Sequence, residues 1–331
     1  MRFIFGILLL NPFLGLAQLG GEFGYQSLHI SPNPRSAALG GATTISLSDG
    51  DISQFFMNPA TLDSVRAGDI FFHLNPYFAD AFFYSFGYAF HLKGLENFAI
   101  GLQYLNFGSF DLTDAAGQEL GSFNASDYGF FISKAHQAGP ITLGATLKFF
   151  HSMIDNYSSH LLAMDLGGVF RLNPNWAFAM VFENMGMTLT DYSNNSDSSL
   201  PFDVKLGTSF KPKYMPVQFT ITSNNLVSTN LTRPVEENGR SNETINKALK
   251  RINFGIEFLL SKNFHFLAGY NHKRRQELTL DEAGGGAGLS YGIMLKIKRF
   301  QMRFSRAAYH SAGGTNFISI QTNLKDFKKI L

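Results

Sequence analysis

The strictest constraint in this chain is a period of two that returns along most of its length. Between Ala81 and Leu92, Phe82, Tyr84, Phe86, Tyr88, Phe90 and Leu92 share one parity. Ser85, Gly87, Ala89 and His91 take the other, with Phe83 as the exception. Successive side chains of a strand point to opposite faces, so this is a strand with one aromatic face and one small or polar face. Trp176, Phe178, Met180 and Phe182 likewise oppose Ala177, Ala179, Val181 and Glu183. Ile252, Phe254, Ile256, Phe258 and Leu260 oppose Asn253, Gly255 and Glu257, and Leu289, Tyr291, Ile293, Leu295 and Ile297 oppose Ser290, Gly292, Met294 and Lys296.

The pattern predicts strands over 69–75, 80–92, 97–109, 125–137, 140–152, 161–171, 175–187, 201–211, 215–226, 252–261, 263–273, 286–298, 300–310 and 315–324. Most are long. Strands of soluble sheets average about 5–6 residues, whereas a membrane-crossing strand needs about 9–11. The connections give an independent signal. After even-numbered strands they are tight, as at Ala138-Gly139, Asn173-Pro174 and Ser261-Lys262; after odd-numbered strands they are long and polar, at 110–124, 153–160, 188–200, 227–251 and 274–285. Short periplasmic turns alternating with long external loops are the habit of outer-membrane barrels, and a soluble sandwich has no reason to sort its loops this way. The expected fold is all-β: a transmembrane antiparallel up-and-down barrel of about 14 strands over 69–324, with a short tail at 325–331.

Composition agrees. The chain has 45% hydrophobic but only 16% charged residues, with Phe 35, Tyr 12 and Gly 32, yet a mean hydropathy of -0.02. Alternation explains the middling hydropathy, since only every second residue faces lipid. So many aromatics exclude a disordered chain, and Cys 0 excludes a disulfide scaffold. The net charge of +2, with scattered basic residues, gives no footprint for nucleic acid.

Met1-Arg2-Phe3-Ile4-Phe5-Gly6-Ile7-Leu8-Leu9-Leu10, running to Ala17-Gln18, has the charge, apolar core and small-residue end of a cleaved secretory signal over 1–17. Broken by Asn11-Pro12, it is short for a retained spanning helix. Residues 18–68 do not alternate. Their Ile45, Leu47, Phe55, Phe56 and Met57 favour a packed N-terminal plug over an exposed tail.

With the aromatic parity outward, Lys148, Asp165, Glu183, Lys205, Glu257, Lys296 and Arg303 point into the lumen. A ring of one sign would suggest an ion-selective pore. Mixed signs on neighbouring strands favour ion pairs with one another or with a plug, and Arg35 is a candidate partner for one of the carboxylates. In the longest loop, Arg233, Glu236, Glu237, Arg240 and Lys247 flank or occupy a helical candidate capped by Ser241 or Asn242, which is either a docking surface or a solvated loop.

Catalytic constellations do not emerge. There is no phosphate loop ending in Lys-Ser or Lys-Thr, no metalloprotease histidine pair and no Ser three residues before a Lys, so no catalytic residue, metal or cofactor is expected. Gly284-Gly285-Gly286-Ala287-Gly288 precedes a strand rather than a helix, so it reads as close packing or a bend at the rim. Asp49-Gly50-Asp51 lacks the bidentate Glu of a calcium loop and reads as a turn.

One further signal is a likeness. Pro34-Arg35-Ser36-Ala37-Ala38-Leu39-Gly40-Gly41, Ser48-Asp49-Gly50-Asp51 and Met57-Asn58-Pro59-Ala60-Thr61-Leu62 resemble the N-terminal segment of barrels related to the fatty-acid transporter FadL. Within that group the closer likeness is to the PorV and PorQ barrels of the type IX secretion system of Bacteroidetes. Ser133 to Gln137, Leu200 to Val204, Phe210 to Pro216, Gly269-Tyr270-Asn271-His272 and Gln276-Glu277-Leu278 resemble the PorQ branch. The resemblance implies plug elements at Pro34, Arg35, Ser36, Ala37, Gly40, Gly41, Asn58, Pro59 and Ala60. It also implies a non-enzymatic role: holding a PorZ-like surface protein at the outer membrane. The implied surroundings are a complex with a PorU-like sortase and a PorV-like shuttle barrel, which processes cargo and links it to lipopolysaccharide. The alternative is a FadL-type transporter of hydrophobic small molecules, favoured by the N-terminal segment and by inward aromatics such as Phe83 and Phe131. An outer-membrane lipase-like enzyme would need a Ser or His with a carboxylate partner at the rim, and none stands at recognisable spacing.

Overall fold

In a bilayer every backbone amide must find a partner within the protein, and a sheet meets that demand only by closing on itself. The computed structural model of the chain shows such a closure. It describes residues 25–327 apart from 42–44, 46, 48–49, 79, 93–94, 115, 194–199, 228–247, 279–285 and 311–312. The signal over 1–17, the start of the plug segment, Asp49, the loop residues Arg233, Glu236, Glu237, Arg240 and Lys247, and Gly284-Gly285 lie outside the described residues, as does the end of the tail from 328.

Fourteen antiparallel strands pair in sequence order and β1 closes on β14. They are β1 (Asp69–Pro76), β2 (Phe82–Leu92), β3 (Leu95–Thr113), β4 (Glu119–Ala138), β5 (Ile141–Ile154), β6 (Tyr157–Asn173) and β7 (Trp176–Thr190). The second half comprises β8 (Asp203–Phe210), β9 (Val217–Ser223), β10 (Ile252–Phe258), β11 (Phe264–Asn271), β12 (Leu289–Ile297), β13 (Phe300–His310) and β14 (Gly313–Asn323). The seam is regular, from Asp69↔Asn323 to Leu74↔Ile318.

The aromatic parity faces out. Leu102, Phe130, Ile132, Leu147, Phe254 and Ile293 are among the exposed large apolar residues of the wall, and a closed barrel with such a belt is built for lipid. One row of polar-tipped rings runs around five strands at the end opposite Asp69 and Asn323. Tyr84, Tyr104, Tyr128, His151 and His160 stack in register, with centroids 6.1, 4.8, 6.1 and 4.8 Å apart. At the other end Trp176 sits 5.3 Å from Phe178 and 5.6 Å from Phe210. Both bands are girdles of the kind that mark membrane–water boundaries.

Two of the expected long loops are instead strand. Residues 110–124 continue β3 and β4 as a two-stranded ribbon, paired from Ser109↔Asn124 to Thr113↔Glu119 beyond the last partners of β2 and β5. The cross-strand Phe110–Phe123 stack, at 5.4 Å, keeps it paired. Between β5 and β6 the expected loop at 153–160 is a tight turn through Asp155 and Asn156, with Asp155 at φ 53. The wall is therefore uneven. β3 to β7 run 14 to 20 residues, whereas β8 to β11 run 7 or 8.

Candidate functional site

The plug crosses the lumen as a series of short turns, and the three from Pro34 onward are each started by a side-chain cap. Asn33 accepts a hydrogen bond from Ser36 N (2.7 Å), and Pro34 opens α1 (Pro34–Ala38) with a φ already suited to a helix. Asp51 accepts from Ser53 N (3.1 Å) at the start of the 3-10 turn Ile52–Phe56. Asn58 accepts from Ala60 N (3.0 Å) at the start of Pro59–Ser64. Pro34, Arg35, Ser36, Ala37, Asn58, Pro59 and Ala60 are all buried, as is Gly40, while Gly41 is partly exposed. Losing one such cap costs about 1 kcal/mol. Asn58→Ala is therefore expected to lower the detergent melting midpoint of the plug while leaving barrel migration on a semi-native gel unchanged.

The wall is carved to receive the backbone of these turns. A Cβ at Gly144 would lie 2.5 Å from Ala60 N, and one at Gly167 would collide with Asn58 Oδ1. On the opposite wall a Cβ at Gly269 would strike Ala38 O and Gly40 N. Between these seats Phe55 and Phe56 fill the lumen against Phe71, Phe131 and Phe150. Phe56 meets Phe131 edge-on at 4.7 Å, and Phe131 meets Phe150 edge-on at 5.4 Å.

Two buried ion pairs bolt plug to wall. Arg35 pairs with Glu257, both side chains 2% exposed, and the other carboxylate oxygen of Glu257 lies 2.9 Å from His265 Nδ1. Arg303 pairs with Asp51 at 3.3 Å. Two further pairs belong to the wall itself. Lys148 Nζ lies 2.6 Å from Asp165 and donates to Asn184 Oδ1 (3.0 Å), and Lys205 Nζ lies 2.5 Å from Glu183. Lys296 is a correction. It keeps the inward parity but stands two residues past buried Met294 on the same strand, exposed at the rim, and belongs to no lumen pair among those described.

Strict alternation cannot put Glu183 and Asn184 on the same face, yet both are buried. A bulge does it. The β6–β7 register shifts between Met164 and Leu166, Asn184 takes φ 58, and its N–H donates to Asp165 Oδ1 (2.9 Å). Parity reading missed Asn184 for that reason. It also missed Asp51, which sits in a segment with no period and reads from sequence as a turn.

Beside this bulge lies a cavity of about 120 Å³, partly open. Ile30, Phe56 and Phe131 line its apolar side, and Lys148, Glu183 and Lys205 its charged side. The hydrogen-bonded wall between β7 and β8 stops here at Glu183↔Asp203, although β7 continues to Thr190. Pro201 and Phe202, just before β8, line the cavity at that break, and Asn184 Nδ2 donates to Pro201 O (3.0 Å). Among the described residues no group of three or more His, Asp or Glu is placed to hold a metal ion.

No protein-family model matches the chain, and no curated protein sequence does. Solved structures do. The toluene transporter TbuX of Ralstonia pickettii aligns with TM-score 0.55 at 12% identity, covering 88% of this chain and 98% of its own. The CymD monoaromatic hydrocarbon channel aligns with TM-score 0.53 at 12% identity, covering 91% and 99%. A FadL homologue of Pseudomonas aeruginosa aligns with TM-score 0.50 at 9% identity, covering 88% and 98%. At such identities the likeness speaks for architecture. The chain has the fold of the FadL-type outer-membrane barrels: an all-β, closed, 14-strand antiparallel barrel.

Proposed function

We propose that this chain is an integral, non-enzymatic outer-membrane barrel that serves as a membrane anchor for a surface protein of the type IX secretion system, in the manner of PorQ-type barrels. The observation that carries the reading is the plug, which is capped, ion-paired and seated in wall glycines rather than loosely threaded. A lumen so closed suits a stator better than a pore. Above it stands the β3–β4 ribbon, with Phe110 and Leu112 exposed at 42% and 44%, on the side where a surface partner such as a PorZ-like protein would sit. A PorU-like sortase, a PorV-like barrel and lipopolysaccharide would be the wider surroundings. Affinity capture from detergent-solubilised outer membranes, read by mass spectrometry, tests this. A surface protein should co-purify with the full chain and be lost when 230–250 or the ribbon tip is deleted; capture of the barrel alone would sink the reading.

A second reading is uptake of a hydrophobic or amphipathic small molecule. It is favoured by the toluene and hydrocarbon transporters among the structural relatives, which support it better than they support the anchor. The cavity with one apolar and one charged side, placed where the β7–β8 wall stops, gives it a local basis. Proteoliposomes separate the two readings: accumulation of an aromatic hydrocarbon above empty-vesicle levels supports transport, and its absence removes that support.

A further inference from the structure

One end of the barrel carries a run of basic turns. At the end where β1 begins and β14 finishes, five consecutive turns, from β4–β5 to β12–β13, carry cations and no carboxylate. Lys134 and His136 precede the β4–β5 turn, and Arg171 precedes the β6–β7 turn, its guanidinium turned inward to donate to Thr142 Oγ1 (3.3 Å). Lys211 and Lys213 stand in the β8–β9 turn, Lys262 in β10–β11, and Lys298 with Arg299 in β12–β13, beside Lys296. All of these turns lie within the described residues. At the opposite end the charges are mixed: the described connections of β1 to β7 hold Asp80, Asp111, Asp114, Glu119, Asp155 and Asp191, while those between β9 and β12 hold Lys250, Arg251, Lys273, Arg274 and Arg275.

The cations lie at the depth of the girdle rather than deep in water. Lys134 stands over the Phe98 ring (5.5 Å) and Arg299 over Phe327 (5.2 Å). Lys211 donates its backbone N–H to Asn175 O (2.8 Å), directly beside Trp176. Past it Tyr214 is 88% exposed and Met215 51%, with Lys213 over the Tyr214 ring at 5.5 Å. Apolar and aromatic tips flanked by ammonium groups are how side chains sit among lipid headgroups.

We infer that this rim is a binding surface for anionic phospholipid headgroups of the leaflet around it, gathering them as an annulus. Each Lys or Arg near an anionic surface contributes attraction that adds along the ring and weakens with salt. The inference rests on the barrel crossing a membrane and is independent of whether it anchors a partner or admits a solute.

The chain supplies its own probe, since Trp176 is its single tryptophan and lies at this rim, 37% exposed. The full chain is reconstituted in phosphatidylcholine vesicles containing either brominated phosphatidylglycerol or brominated phosphatidylcholine, and quenching of Trp176 is read. The relative association constant of the anionic lipid should be about fivefold above that of the zwitterionic one, the factor equivalent to about 1 kcal/mol. The preference should collapse at about 0.5 M salt and in Lys211→Gln/Lys213→Gln, with the emission maximum in pure phosphatidylcholine unchanged as the control for folding. Equal quenching by both lipids at low salt overturns the inference and leaves the rim to an acidic periplasmic protein. So does a preference that the double variant retains.

Discussion

Glu257→Ala should release the N-terminal segment from the lumen. The substitution leaves the Arg35 guanidinium, 2% exposed, without its carboxylate partner, and strips His265 of the same group. Removing one member of a buried pair costs about 3–5 kcal/mol, most of it the penalty of a stranded charge. The barrel does not depend on that pair, because its strands close through the wall hydrogen bonds whether or not α1 is seated. The two parts are therefore expected to separate: protease cutting within 31–62 should rise by at least about 100-fold, the factor that 3 kcal/mol allows, while the semi-native gel shift stays. Arg35→Met combined with Glu257→Leu tests the cause. Replacing both charges by apolar groups of similar size is often neutral or stabilising, so the double variant should regain protection. Equal loss in the single and double variants would show that the attraction of the pair itself holds α1, and that the stranded charge is not the cause.

The barrel itself was legible because its driving constraint is local. Alternation at Phe82, Tyr84, Phe86, Tyr88 and Phe90 states which face is wet or packed, and strand length states which solvent the other face meets. The loops were less legible. Residues 110–124 carry Asp111, Asp114 and Glu119 and look like a solvated loop, yet Phe110 and Phe123 meet across the ribbon, a relation visible only once the register is known. The lumen charges show the same limit. Parity turned Lys148, Asp165, Glu183, Lys205, Glu257 and Arg303 inward, but their pairing follows the path of the plug and the β7 bulge. Glu257 found Arg35 at a separation of 222 residues, and Arg303 found Asp51. Nothing periodic marks such partners. Lys296 failed for a simpler reason: parity gives a direction and no height, and its height is the rim.

The glycines of the wall make the second large prediction. Gly144 on β5 and Gly167 on β6 face the lumen side by side, paired in register, beneath Asn58, Pro59 and Ala60. Because backbone rather than a flexible side-chain end lies 2.5 Å from the position of a Cβ at Gly144, the seat has nothing that can rotate away. Gly144→Val and Gly167→Val change nothing on the lipid face. They should therefore leave insertion intact and push Pro59–Ser64 off the wall. Overpacking costs about 1–3 kcal/mol per site, and two adjacent sites overlap rather than add. Once this turn lifts, Phe55 and Phe56 lose their backing against Phe131 and Phe150, and the lumen loses its centre. Planar-bilayer recordings should then show steady ion conductance for the double valine variant where the unaltered chain is closed. A folded variant that remains closed would mean that the plug is held from the Arg35–Glu257 side, with the glycine seat following it rather than fixing it.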